Sequence, residues 1–181
     1  SIEFTGLTHD LYILYLWNMS FSDDHPLMIT YSYNNGTHYA NDTAGLAANE
    51  TKRYWYSTIN AQKTDGSNDV ESRVGIQTGE VDITAFSGAG SSGVNDMVPA
   101  SAANLMGTII IDRKADGENT LSKQGFADFL YHPAGYAPIR CNSAFMHTPS
   151  GTLGDMDAFK IFPDAGATIA GAHWKLYGTS V

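Results

Sequence analysis

The chain has 181 residues, enough for one domain with a full hydrophobic core and short for two. Ten Lys and Arg against nineteen Asp and Glu leave a formal net charge of −9, a balance that repels phosphate backbones and argues against nucleic acid as a partner. Charged residues make up 16% and hydrophobic residues 43%, which sets aside a disordered or coiled-coil chain, and a single cysteine, Cys141, sets aside an internal disulfide and a cysteine-based zinc site. The longest strongly apolar run, Leu11 to Trp17, is far below the roughly 20 residues of a membrane helix. The N-terminus has no charged-then-apolar signal pattern, so the expectation is a soluble chain without membrane insertion. Ser1 stands where an initiator methionine would, which fits a processed precursor or a trimmed chain.

Ten Tyr, eight Phe and three Trp beside eighteen Gly, with no long run of helix formers, predict many short strands. In chain order, Ile2 to Thr5 reads as a brief first strand. Leu11 to Met19 reads as a longer one, whose continuous apolar character suits burial on both faces. After a turn at His25 and Pro26, Leu27, Ile29, Tyr31 and Tyr33 alternate with Met28, Thr30, Ser32 and Asn34. Asn35-Gly36 then predicts a tight hairpin, with Thr37 to Ala40 returning. Asn41 to Thr51 is a loop or one short helix. Lys52 to Asn60 is a strand, Asp65 to Asp69 a turn cluster, and Arg73 to Thr78 with Val81 to Phe86 a hairpin. Further strands fall at Thr108 to Asp112, Gly125 to Tyr131, Ala137 to Met146, Met156 to Phe162 and Ala172 to Tyr177. The expected fold is all-β: an antiparallel two-sheet β-sandwich of jelly-roll type, about ten strands and at most one or two short helices, in a single domain over residues 1–181.

Chemical motifs are weak. Gly88-Ala89-Gly90-Ser91-Ser92-Gly93 is a formal G-x-G-x-x-G followed at a distance by Asp112, but Pro99 interrupts the helix it needs and leaves only a short one after it. No alternating strand-helix units accompany it, so a glycine-serine loop is the better reading and no cofactor is expected. There is no G-x-S-x-G and no H-E-x-x-H, and the six histidines are scattered singly. The acidic pairs Asp23/Asp24, Asp69/Glu71 and Asp155/Asp157 suit glycoside cleavage formally, yet loop capping explains them more simply. Asp65, Asn68 and Asp69 offer oxygen ligands for calcium without the spacing or closing acid of an EF-hand, so no metal is assigned. Four N-x-S/T sequons, at Asn18, Asn35, Asn41 and Asn49, fit either a secreted glycoprotein or chance in an Asn- and Thr-rich chain. Aromatics remain the strongest candidates, because sugar C–H faces stack on Trp and Tyr while hydroxyls pair with Asn and Asp. The densest cluster is Tyr54, Trp55 and Tyr56, and with Asp65, Asn68 and Asp69 it is the candidate glycan-binding set. On a strand Trp55 points opposite to Tyr54 and Tyr56, so one face of the cluster belongs to the core.

The C-terminal run Phe159-Lys160-Ile161-Phe162-Pro163, a turn through Asp164 and Gly166, then Ile169-Ala170-Gly171 and Trp174-Lys175-Leu176-Tyr177-Gly178, resembles the ending of β-sandwich proteins of tailed-bacteriophage virions. Ile2-Glu3-Phe4-Thr5-Gly6-Leu7 is similar to the opening strand of that group. Tyr31-Ser32-Tyr33-Asn34-Asn35-Gly36-Thr37-His38-Tyr39 is similar to its hairpin, with Asn34 and Asn35 in place of an acidic residue and glycine. The resemblance touches both ends of the chain and carries no catalytic residues to transfer. It implies a non-enzymatic virion module at the particle surface, with other virion subunits as partners, a homotrimer as the assembly, and host-surface carbohydrate as the ligand of an adhesive, receptor-binding role. A capsid-surface decoration or head-fibre protein that stabilises the shell is the alternative, and a small glycan-active hydrolase the second. An adhesin calls for an exposed aromatic beside Asn or Asp in a groove, whereas a decoration protein calls for a broad apolar patch.

Overall fold

A computed structural model describes residues 1–22, 25–40, 53–64, 67–78, 80–84, 105–113, 123–131, 138–148, 155–163 and 167–180. Among them there is no helix. The strands are β1 (Ile2–Phe4), β2 (Leu11–Phe21), β3 (Leu27–Ser32), β4 (Arg53–Thr64), β5 (Ser67–Thr78), β6 (Val81–Asp82), β7 (Leu105–Asp112), β8 (Lys123–Tyr131), β9 (Ile139–Thr148), β10 (Ala158–Pro163) and β11 (Ile169–Thr179). They form two antiparallel sheets, a small one in the order β1-β10-β3-β6 and a large one in the order β11-β2-β7-β8-β9-β4-β5. The protein is therefore all-β and sandwich-like. Leu14, Leu16, Ile109, Phe129 and Phe145 of the large sheet share one buried cluster with Phe4, Ile29, Tyr31, Phe159 and Ile161 of the small sheet.

Stitching between the layers is specific. β6 pairs with β3, a pairing the Leu27 amide extends by donating to Thr84 Oγ1 at 2.8 Å, and the two residues after β6 reach across to the large sheet: the Tyr131 hydroxyl donates to the Thr84 carbonyl at 3.1 Å and Cys141 Sγ to the Ile83 carbonyl at 3.4 Å. At the opposite margin the ring of Trp174 on β11 stands edge-on to Phe4 on β1, with centroids 5.0 Å apart, and Phe4 stacks on Phe159 at 4.6 Å. Opening and closing strands thus seal one side together. Arg113 ties a loop end by donating to the Leu7 carbonyl at 3.1 Å and pairing with Asp155 at 3.3 Å.

Several local expectations change. β3 is buried at all six positions, and β2 is the strand that alternates, with buried Leu14, Leu16 and Met19 opposite exposed Tyr15 and Trp17. Double-sided burial thus belongs to β3. Asn35 and Gly36 do take positive φ, 56° and 80°, as a tight turn requires. Thr37 to Ala40 nevertheless make no returning strand. Segment 33–40 folds back over the outer side of the small sheet, where the Ala40 amide donates to the Tyr31 carbonyl at 2.9 Å and Lys160 Nζ lies 4.2 Å above the buried Tyr39 ring. β10 is the strand that pairs with β3. The hairpin expected from Arg73 to Phe86 is also replaced, because β5 pairs with β4 in the large sheet and β6 with β3 in the small one. Of the short helix expected after Pro99, residues 99–104 lie outside the described residues, and Leu105 and Met106 open β7.

Candidate functional site

The large sheet has two unlike faces. Its inner face is the core, and its outer face carries apolar residues strand after strand. Register places Tyr177, Ile13, Ile110, Phe126 and Ala144 side by side across β11, β2, β7, β8 and β9. At about 4.8 Å between neighbouring strands, this row is about 19 Å wide. The next row holds Lys175, Tyr15, Thr108, Asp128, Asn142 and Ile59, and Met106 and Leu130 pair beyond it. Tyr15 is 44% exposed, Phe126 43%, Leu130 45%, Ile59 47% and Met106 51%. Single exposed apolar residues are ordinary on a protein surface, but contiguous ones across several strands mark a contact surface.

Aromatic rings concentrate at the β2/β11 end of this face. Tyr15 and Tyr177 meet edge-on at 5.8 Å, and Trp17 lies nearly parallel to the ring of His173 at 5.8 Å. Lys175 Nζ sits 4.8 Å from the centre of the Tyr177 ring, a cation over a π face. Asn18, exposed beside Trp17, has φ of 53° where the β2/β7 register slips between Leu16 and Met19. The slip leaves Trp17 paired with His173 and out of register with β7. At the β8/β9 end, Arg140 grips Asp128 through two hydrogen bonds, Nε to Oδ1 at 3.2 Å and a terminal nitrogen to Oδ2 at 2.9 Å. The hydrogen bond to that carboxylate, followed by its charge, holds the guanidinium pKa above its ordinary value. The two charges cancel locally.

The expected glycan set falls mostly outside what is described. Tyr54, Trp55 and Tyr56 lie on β4, in register opposite His147, Met146 and Phe145 of β9, and Asn68 and Asp69 lie on β5 opposite Lys63 and Gln62. The side chains of those five residues and the whole of Asp65 are outside the described residues, as are the glycine loop 88–93 and Asp23/Asp24. Asp155 is bound by Arg113, and Asp157 accepts from the Asn35 amide at 2.7 Å while its carbonyl accepts from Leu7, so this acidic pair organises loops. Asn35 Oδ1 accepts from the Gly6 amide at 2.7 Å, which engages the side chain of that sequon in the turn. His147 is a core histidine, with Nδ1 2.5 Å from the Tyr33 hydroxyl and its ring edge-on to Tyr31. Among the described residues no group of three His, Cys, Asp or Glu is placed to hold a metal ion.

Sequence reasoning missed Tyr15, Trp17, Met106, Phe126, Leu130 and Tyr177. For Tyr15 and Trp17 a signal was present, because the run Leu11 to Trp17 puts apolar residues at both parities of a strand, which requires either a second covering layer or an exposed sticky face, whereas Met106, Phe126, Leu130 and Tyr177 join them only through strand register. Compared with protein-family models, curated proteins and solved structures, the chain matches none.

Proposed function

We propose that the chain is a non-enzymatic structural module of a tailed-bacteriophage virion, a sandwich of jelly-roll type that packs the outer face of its large sheet onto neighbouring virion subunits. The observation that carries this reading is the row Tyr177, Ile13, Ile110, Phe126 and Ala144, an apolar strip running over five adjacent strands on the face that no second layer of described residues covers. A surface of this kind gains free energy by burial against another protein and little from a hydrated sugar. It favours the shell-stabilising, decoration-type role over the adhesive one. The virion context itself rests on the resemblance of the two chain ends.

Adhesion to host-surface carbohydrate is the second reading. It is supported by Trp17, 39% exposed, stacked on His173 with Asn18 next to it, an aromatic platform with an amide donor at hand. Cryo-electron microscopy of the particle that carries the chain tests the two against each other. Density on the capsid lattice with the β7 and β8 outer face buried supports the first. Density at a tail or fibre tip with that face in solvent overturns it, and a glycan array with Trp17→Ala as control then tests the second.

A further inference from the structure

β11 ends the large sheet, and among the described strands only β2 pairs with it. An edge strand offers unpaired amides and carbonyls to another chain, and proteins ordinarily blunt such edges with proline, charge or bulges. The two halves of β11 differ in this respect. Its first half is irregular, with register shifts between Ile169 and Gly171 and between Gly171 and His173. From His173 to Thr179 the pairing with β2 runs without a shift, a straight stretch of about 24 Å by strand geometry that carries Lys175 as its one formal charge.

From this asymmetry we infer that β11 pairs with β11 of a second copy of the chain, antiparallel about a two-fold axis through Leu176, joining two large sheets into one. The straight stretch is centred on Leu176, so this register uses all of it and none of the irregular half. It sets Leu176 against Leu176, Lys175 against Tyr177, Trp174 against Gly178 and His173 against Thr179. Charge and the extent of the straight stretch select it among the alternatives. A two-fold axis through Lys175 opposes two ammonium groups, one through Trp174 draws in the irregular half, and one through Tyr177 pairs only Lys175 to Thr179 of the straight stretch with itself. Centred on Leu176, each ammonium meets the electron-rich ring of the other copy's Tyr177, a contact the chain already makes within itself at 4.8 Å. The pairing is isologous, each half-exposed Trp174 and Tyr177 lying on a strand that gains a neighbour, and it sets the apolar row that ends at Tyr177 beside the Lys175 and Tyr15 row of the other copy. It rests on register and charge and is independent of the virion reading.

Sedimentation equilibrium of the full chain tests the pairing. The expected result is a dimer that Tyr177→Lys weakens about tenfold, because lysine then opposes Lys175 at both symmetric positions. The double variant Lys175→Glu/Tyr177→Lys restores the dimer, since opposite charges then face each other across the axis. Thermal unfolding of each variant confirms that the fold is intact. Leu176→Cys gives a second reading free of charge effects: oxidation links two chains through the axis, whereas Lys175→Cys, offset from its own symmetry mate, does not link. A monomer, a trimer, a dimer indifferent to Tyr177→Lys, or equal crosslinking at both cysteine positions overturns the proposal.

Discussion

β2 and β3 are neighbours in sequence and opposites in environment. β2 is the more apolar, Leu-Tyr-Ile-Leu-Tyr-Leu-Trp from its first residue, yet one of its faces is open to solvent. β3 carries Thr30 and Ser32, yet all six of its residues are buried. The cause is what covers each sheet. β3 lies inside the small sheet between β10 and β6, with the core on one side and the returning segment 33–40 on the other, where the Ser32 hydroxyl is taken up by Asn34 and Gly36 of that segment. β2 lies in the large sheet, and no described residue folds back over its outer side. Apolar content measures what a strand can bury, and chain topology decides whether this molecule or another one does the burying.

The comparison breaks most readily at β3. Ile29→Ala removes a fully buried side chain facing the large sheet and is expected to lower unfolding free energy by about 3 kcal/mol, read by urea denaturation. A loss below about 1 kcal/mol means that β3 is not core on that side. Gly125→Ala probes the inner face of the large sheet in the opposite sense. Gly125 stands in register with Phe145, and a methyl group there lands in the Phe145 ring. Overpacking of about 1 to 3 kcal/mol is expected, and Phe145→Leu in the same chain should recover part of it.

Ser32→Ala sharpens the other side of β3. The Ser32 hydroxyl donates to Asn34 Oδ1 at 2.8 Å and accepts from the Gly36 amide at 3.1 Å, so it anchors the turn that covers the small sheet. A loss of about 1 to 2 kcal/mol is expected, with faster amide exchange at Gly36 and Ala40 as the local signature. Unchanged exchange at those amides would show that the returning segment is held by something other than this hydroxyl.

Much of the fold was legible in the sequence. Strand positions follow from aromatic and β-branched runs between glycine, proline and asparagine breaks, and the Asn35-Gly36 turn follows from the tolerance of both residues for positive φ. Strand partners were not legible. Arg73 to Phe86 reads locally as a hairpin because two apolar-alternating runs flank Gly79, but Val81 and Asp82 pair instead with Ile29 and Met28, more than fifty residues earlier. No local pattern encodes that contact. The candidate surface was missed for a related reason. Tyr54-Trp55-Tyr56 stands out because its rings are consecutive, whereas Tyr177, Ile13, Ile110 and Phe126 are scattered over the chain and become neighbours only through register.

The smallest expected effect on stability is the most informative about the outer face. Phe126→Ser removes a ring that is 43% exposed and already half in water, so unfolding free energy should change by no more than about 1 kcal/mol. Ile110 beside it keeps its own pairing, and Gly125 and Ala127, which flank position 126 on the inner face, are untouched. What should change is the surface itself: retention on a hydrophobic column and fluorescence of an apolar dye both fall, and fall further when Tyr15→Ser is added on the neighbouring row. A dye signal that does not move, together with a loss of several kcal/mol, would make Phe126 a core ring and the large sheet a structure covered on both sides. A moving signal with unchanged stability places the Phe126 ring on the open face, where the contact surface built from Tyr177, Ile13 and Ile110 requires it to be.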